Sequence, residues 1–165
     1  MQILVMGYGN PGRLDDGLGP AFAERIQALA IPGVTADADY QLTVEDAAAV
    51  ARYDVVLFAD ASVDGPEPFG VQALAAERNG LGFSSHSLSA GALLGLAETL
   101  FGAAPRAYLL ALRGYDFDAF GERLSEPAKA GLEAAVAHFE PLLRRCAAAG
   151  REAPSGCASE REFTR

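Results

Sequence analysis

Short, unbroken apolar runs alternate with longer stretches of helical spacing along this chain. Ile3 to Gly7 is apolar, brief and closed by glycine, which predicts a strand buried on both faces. Asp54-Val55-Val56-Leu57-Phe58-Ala59-Asp60 is the clearest strand, a run of large apolar residues bounded by acids. Tyr108 to Leu112 reads the same way, and Val34 to Tyr40 more weakly. Phe69 to Leu74, after the turn Gly65-Pro66-Glu67-Pro68, reads as an edge strand. Between these runs the apolar spacing lengthens to that of helices. One helix, with Asp15 or Asp16 standing as its N-cap, runs through Gly17-Leu18-Gly19-Pro20 to Ala30. Thr43 caps a second from Val44 to about Arg52, with Asp46 placed for a capping box. Ser89 to Phe101 is a third, with Gly102 as its C-cap, and Ser84 to Ser87 before it is polar and turn-like. The last opens at Ser125-Glu126-Pro127, with proline in its first turn, and runs to about Ala148.

Strands alternating with helices predict an α/β fold: three layers, αβα, around a mostly parallel twisted sheet of about five strands. Residues 1–149 read as a single domain. Residues 150–165 are charged, bear Pro, Gly and Ser and carry almost no large apolar side chain, so a flexible tail is expected there.

Charge narrows the function classes. A net charge of −9, with 13 Lys and Arg forming no stripe, argues against nucleic acid and against an anionic membrane surface as partners. No apolar run is long enough for a membrane span, and the start of the chain lacks a basic leader. Cys146 and Cys157 stand late in the chain, neither with a neighbour at metal-ligand spacing, so no disulfide framework is expected and the cytoplasm is the expected compartment.

Ligands of open α/β sheets bind beyond the carboxyl ends of the strands. Three acidic or imidazole side chains fall at such places: Asp16 in the loop after the first strand, Asp60 at the end of the strongest strand, and His86 in the segment leading to the Leu-rich helix. Two carboxylates and an imidazole form an oxygen and nitrogen donor set that suits a borderline divalent ion with positions left open. Each residue also has an ordinary structural role that would account for it: Asp16 as a helix cap, Asp60 as a loop cap, His86 as a surface residue. His138, inside the final helix, reads as structural or exposed. Gly7-Tyr8-Gly9-Asn10-Pro11-Gly12 matches the glycine spacing of a dinucleotide-binding loop. Pro11 interrupts that turn, however, and Asp15 and Asp16 put negative charge where a pyrophosphate would approach. There is no nucleophile-elbow serine, and Cys157 in the tail is remote from His86.

The stretch from Ile3 through Gly9-Asn10-Pro11-Gly12 to Asp15-Asp16-Gly17-Leu18-Gly19 closely resembles the opening motif of the hydrogenase maturation proteases. Gln41-Leu42-Thr43, Phe58-Ala59-Asp60-Ala61, Ser85-His86-Ser87 and Leu124-Ser125 agree in order and spacing, so the resemblance covers roughly residues 1 to 145. It implies an endopeptidase, aspartic-type or metal-assisted, that removes a C-terminal peptide from the nickel-loaded large-subunit precursor of a [NiFe] hydrogenase. It places the catalytic and metal-contacting residues at Asp16, Asp60 and His86, with Gly9 and Asn10 shaping the loop. The nickel would come with the precursor, with zinc or cadmium as substitutes in vitro. Some members carry Glu where this chain has Asp16, and the Glu that usually follows the histidine is replaced by Ser87 and Leu88. The same three residues would also serve a non-catalytic nickel-sensing or docking module, and a Rossmann-like nucleotide-binding domain is the remaining alternative.

Overall fold

The computed structural model describes residues 1–77 and 88–149. Five strands form one sheet: β1 (Ile3–Tyr8), β2 (Val34–Asp39), β3 (Val55–Ser62), β4 (Phe69–Leu74) and β5 (Arg106–Arg113). Their spatial order is β2-β1-β3-β5-β4. β1 pairs parallel with β2 and β3, and β3 parallel with β5, while β4 closes one edge antiparallel to β5. The expected three-layer, mostly parallel α/β fold is therefore what forms. Because β2 and β3 lie on opposite sides of β1, the strand order reverses between β1 and β3 although the strands stay parallel, which opens a crevice at their carboxyl ends.

Strand alternation sorts the core into two layers. Ile3, Val5, Val55, Leu57 and Leu110 face α1 (Leu18–Ala28) and α4 (Glu126–Ala148). Leu4, Met6, Val56 and Phe58 face α2 (Asp46–Val50) and α3 (Ala90–Phe101). Phe22 of α1 meets Phe139 of α4 edge to face at 5.7 Å between centroids, joining the two helices over the sheet.

The helix ends follow their local chemistry with one marked exception and a smaller one at α2, where Glu45 and not the expected Thr43 stands at the N-cap, without a side-chain bond. Ser89 caps α3 by accepting from the Ala92 amide at 3.0 Å, and Gly102 takes the left-handed conformation after it. Ser125 caps α4, which carries proline in its first turn. Asp46 accepts from the Thr43 amide at 2.8 Å and from the Thr43 hydroxyl at 3.0 Å, although α2 spans only Asp46–Val50, shorter than the expected Val44 to Arg52. The marked exception is the start of α1. A 3₁₀ turn over Leu14–Gly17 precedes it, Gly17 stands at the N-cap without a side-chain bond, and neither Asp15 nor Asp16 caps the helix. The helix also stops at Ala28 rather than Ala30, where Ala30 has φ 47°.

Glycine brings this turn against the sheet. A Cβ on Gly19 would lie 2.4 Å from the carbonyl oxygens of both Ala59 and Tyr8, and one on Gly7 would lie 2.0 Å from that of Gly19. The close approach holds the start of α1 against the ends of β1 and β3.

Candidate active site

Asp16 and Asp60 flank the β1/β3 crevice. Asp16 stands in the 3₁₀ turn, and one of its carboxylate oxygens accepts from the Asn10 amide at 3.0 Å. Asn10 is in turn fixed by its own side chain, which accepts from the Gly12 amide at 2.9 Å, and by its carbonyl, which accepts from Arg13. The Gly9 amide donates to Asp39 at the end of β2. The expectation that Gly9 and Asn10 shape this loop holds in this sense.

Asp60 continues the face of Val56 and Phe58, so its side chain leaves the strand on the α2/α3 side. One oxygen accepts from the Ala61 amide at 2.8 Å. Burial pushes the Asp60 carboxyl up to about 6; the Ala61 amide opposes this, the charge of Asp16 adds to it, and a hydrogen bond from Tyr8 opposes it. The two carboxylates thus stand close enough to repel. Tyr8 follows Gly7, the partner of Ala59 in the β1–β3 register, and so comes beside Asp60. Burial raises the phenol above its ordinary value, and the charge and hydrogen bond of Asp60 raise it further.

The neighbouring aspartate has a different task. Asp15 is wholly buried and accepts four hydrogen bonds: from the amides of Tyr115 at 2.8 Å, Asp116 at 3.0 Å and Ser125 at 2.7 Å, and from the Ser125 hydroxyl at 2.7 Å. Burial pushes its carboxyl up, but the bonds from Ser125, Tyr115 and Asp116 outweigh this and hold it below the usual carboxylate range. Asp15 ties the loop after β1 to the loop after β5 and to the start of α4.

The sequence singles out Asp16, Asp60 and His86. The structure brings Asp16 and Asp60 together; His86 lies outside the described residues, as does the expected tail. Among the described residues no group of three His, Cys, Asp or Glu side chains gathers for a metal ion. His138 is half-buried, its ring 5.5 Å from Phe69 and 5.1 Å from Phe139, which fits a structural rather than an exposed residue. Sequence reasoning missed Tyr8 and the pinning role of Asp15. Matching the ends of β1 and β3 would have found Tyr8, while the Asp15 bonds join positions about a hundred residues apart and leave no local signal. The glycines of the nucleotide-like loop are also accounted for, since a Cβ on Gly9 would lie 2.1 Å from the Asp16 carbonyl oxygen. That glycine admits the chain's own backbone.

Fold and site define a three-layer α/β protein with paired carboxylates at the topological switch point of its sheet. No family model matches the chain, and no curated relative matches it. Solved structures do. A [NiFe] hydrogenase maturation protease, HycI, from Thermococcus kodakarensis KOD1 superposes with a TM-score of 0.64 at 24% identity, over 84% of this chain and 89% of that one. The hydrogenase 2 maturation peptidase from Thaumarchaeota archaeon SCGC_AB-539-E09 gives 0.63 at 25% identity, over 87% and 98%. The hydrogenase-maturating endopeptidase HybD from E. coli gives 0.60 at 22% identity, over 88% and 93%. The chain has the fold of the hydrogenase maturation proteases over nearly the whole length of each.

Proposed function

We propose that this protein is an endopeptidase that removes a C-terminal peptide from the nickel-loaded large-subunit precursor of a [NiFe] hydrogenase. The observation that carries the reading is the Asp16–Asp60 pair at the β1/β3 crevice, in a fold shared with maturation proteases. The likeness to maturation proteases supports this substrate class, and the chemistry of the site suits it.

At neutral pH the Asp60 carboxyl is largely ionised, because about 6 lies below 7, and the charge of Asp16 stands beside it. Two facing negative charges favour a divalent cation between them, and hard oxygen donors with an imidazole suit nickel or zinc. Nickel held by the precursor and reached by Asp16, Asp60 and His86 would polarise the scissile region and distinguish loaded from empty substrate. Asp60 is also suited to take a proton from attacking water, since its carboxyl titrates near neutrality. The Tyr8 phenol orients that carboxylate by donating to it. Both aspartic-type and metal-assisted hydrolysis draw on these same groups.

The test uses nickel-loaded and nickel-free precursor incubated with the protein, with the products weighed by mass spectrometry. A C-terminal peptide is released from the loaded precursor alone. Asp16→Asn, Asp60→Asn and His86→Ala each abolish release while leaving the circular dichroism spectrum unchanged. No release under either condition would overturn the peptidase reading and leave a sensing or docking module. Normal release by all three variants would overturn the site.

A further inference from the structure

Against the 3₁₀ turn that carries Asp16 lies a cleft of about 230 Å³, between that turn with the first turn of α1 and the segment before α4. Pro11, Leu14, Gly17, Pro20, Ala21 and Leu124 line it, so its walls are apolar, and two of these residues lack an amide donor. Glu24, Glu122 and Arg123 stand at its rim, and none of the three enters an ion pair among the described residues. Phe120, two residues before Glu122, is 89% exposed.

We infer that this cleft is a docking subsite for the protein substrate, receiving an aliphatic side chain from a precursor segment that carries Lys or Arg beside it. The inference rests on the reading above for the identity of the partner. Three observations commit it to that occupant. The cleft is smaller than the roughly 300–1,000 Å³ of ordinary small-molecule pockets, so it suits one or two side chains rather than a free cofactor. Its wall and the candidate site share one 3₁₀ turn, since Gly17 lines the cleft and follows Asp16 in that turn. The carboxyl edge of the sheet is negative: outside buried Asp15, the segments 9–17, 39–45, 60–68 and 113–125, which leave or enter the sheet there, hold nine carboxylates against three arginines. A basic segment is drawn to such an edge, and the apolar cleft fixes its register.

The experiment measures affinity and turnover separately, using the full-length protein and nickel-loaded precursor. Ala21→Phe fills the cleft, and the double variant Glu24→Lys with Glu122→Lys inverts its rim at two exposed positions where folding is not at stake. Both weaken precursor binding at least ten-fold by calorimetric titration and raise KM to match, with kcat changed less than three-fold. The defect of the charge variant shrinks in high salt. If the charge variant folds and both Kd and KM stay within two-fold of the wild type, the subsite is overturned. Wild-type protein that cleaves while the variants cleave with unaltered KM overturns the subsite and keeps the peptidase. Wild-type protein that binds precursor, loses that affinity in the variants and releases no peptide keeps the subsite and overturns the peptidase. A precursor that does not bind the wild type at all overturns the subsite.

Discussion

Asp15 is buried under four hydrogen bonds, while Asp16 keeps one carboxylate oxygen on the Asn10 amide and faces Asp60. Removing each therefore does something different. Asp15→Ala strands three amides and the Ser125 hydroxyl in the interior and lowers stability by roughly 2–4 kcal/mol, read by urea unfolding. A change under about 1 kcal/mol would show that water replaces the carboxylate at little cost. Asp16→Asn leaves the fold standing but removes the charge facing Asp60, so the Asp60 carboxyl titrates below about 6. Side-chain carbonyl NMR of metal-free protein reads this directly, and an Asp60 midpoint that stays put would separate the two residues. At this scale the sequence singles out Asp16 and offers Asp15 only as an alternative helix cap, a task that neither residue performs.

Between elements, the decisive contact is the seating of the 3₁₀ turn and α1 on the ends of β1 and β3. Gly19→Ala drives a methyl into two carbonyl oxygens 2.4 Å away and costs about 1–3 kcal/mol, with faster amide exchange along α1 and a disturbed Asp16. Gly102→Ala is a control of another kind. Nothing lies within 4 Å of its would-be Cβ, so the cost is only that of φ +64° on a non-glycine residue, about 1 kcal/mol, without effect on processing. Equal losses of stability and activity in the two variants would refute the close-approach account. Ser125 serves two elements at once, accepting from the Ala128 amide of α4 at 3.4 Å while its hydroxyl donates to Asp15.

For the whole molecule, Asp60 and Asp15 set opposite pH trends. Asp60 has a folded value of about 6 against about 3.9 for an unfolded aspartate, so the folded state binds more protons between those values. Stability from this group therefore rises as pH falls from about 6 to about 4 and is flat above. Asp15 has the reverse sign. Its folded value lies below the unfolded one, so its contribution is complete above about pH 4 and is lost as pH falls further. Thermal melts of metal-free protein should show greatest stability between roughly pH 4 and 6 and a steep loss below, and Asp60→Asn should reduce the rise. The net charge of −9 adds to the gain on mild acidification, because protonation relieves self-repulsion.

Element type, element order and the two acids near the carboxyl ends of β1 and β3 could be read along the chain, because periodicity, capping residues and turn formers act within a few neighbours; Asp60, expected to end its strand, lies inside β3, which pairs with β5 as far as Ser62. The limits of α3 and the start of α4 follow from Ser89 with Gly102 and from Ser125 with Pro127, while β1 runs one residue past Gly7 to Tyr8. The order β2-β1-β3-β5-β4 depended on three-dimensional packing, since alternation tells a strand which face it buries but not which strand lies beside it. The same holds for Tyr8 beside Asp60, for Asp15 bonded across a hundred residues to Tyr115 and Ser125, and for the cleft between α1 and the approach to α4. Each is a contact between segments distant in the chain, whose energy appears only once the sheet has brought their ends together.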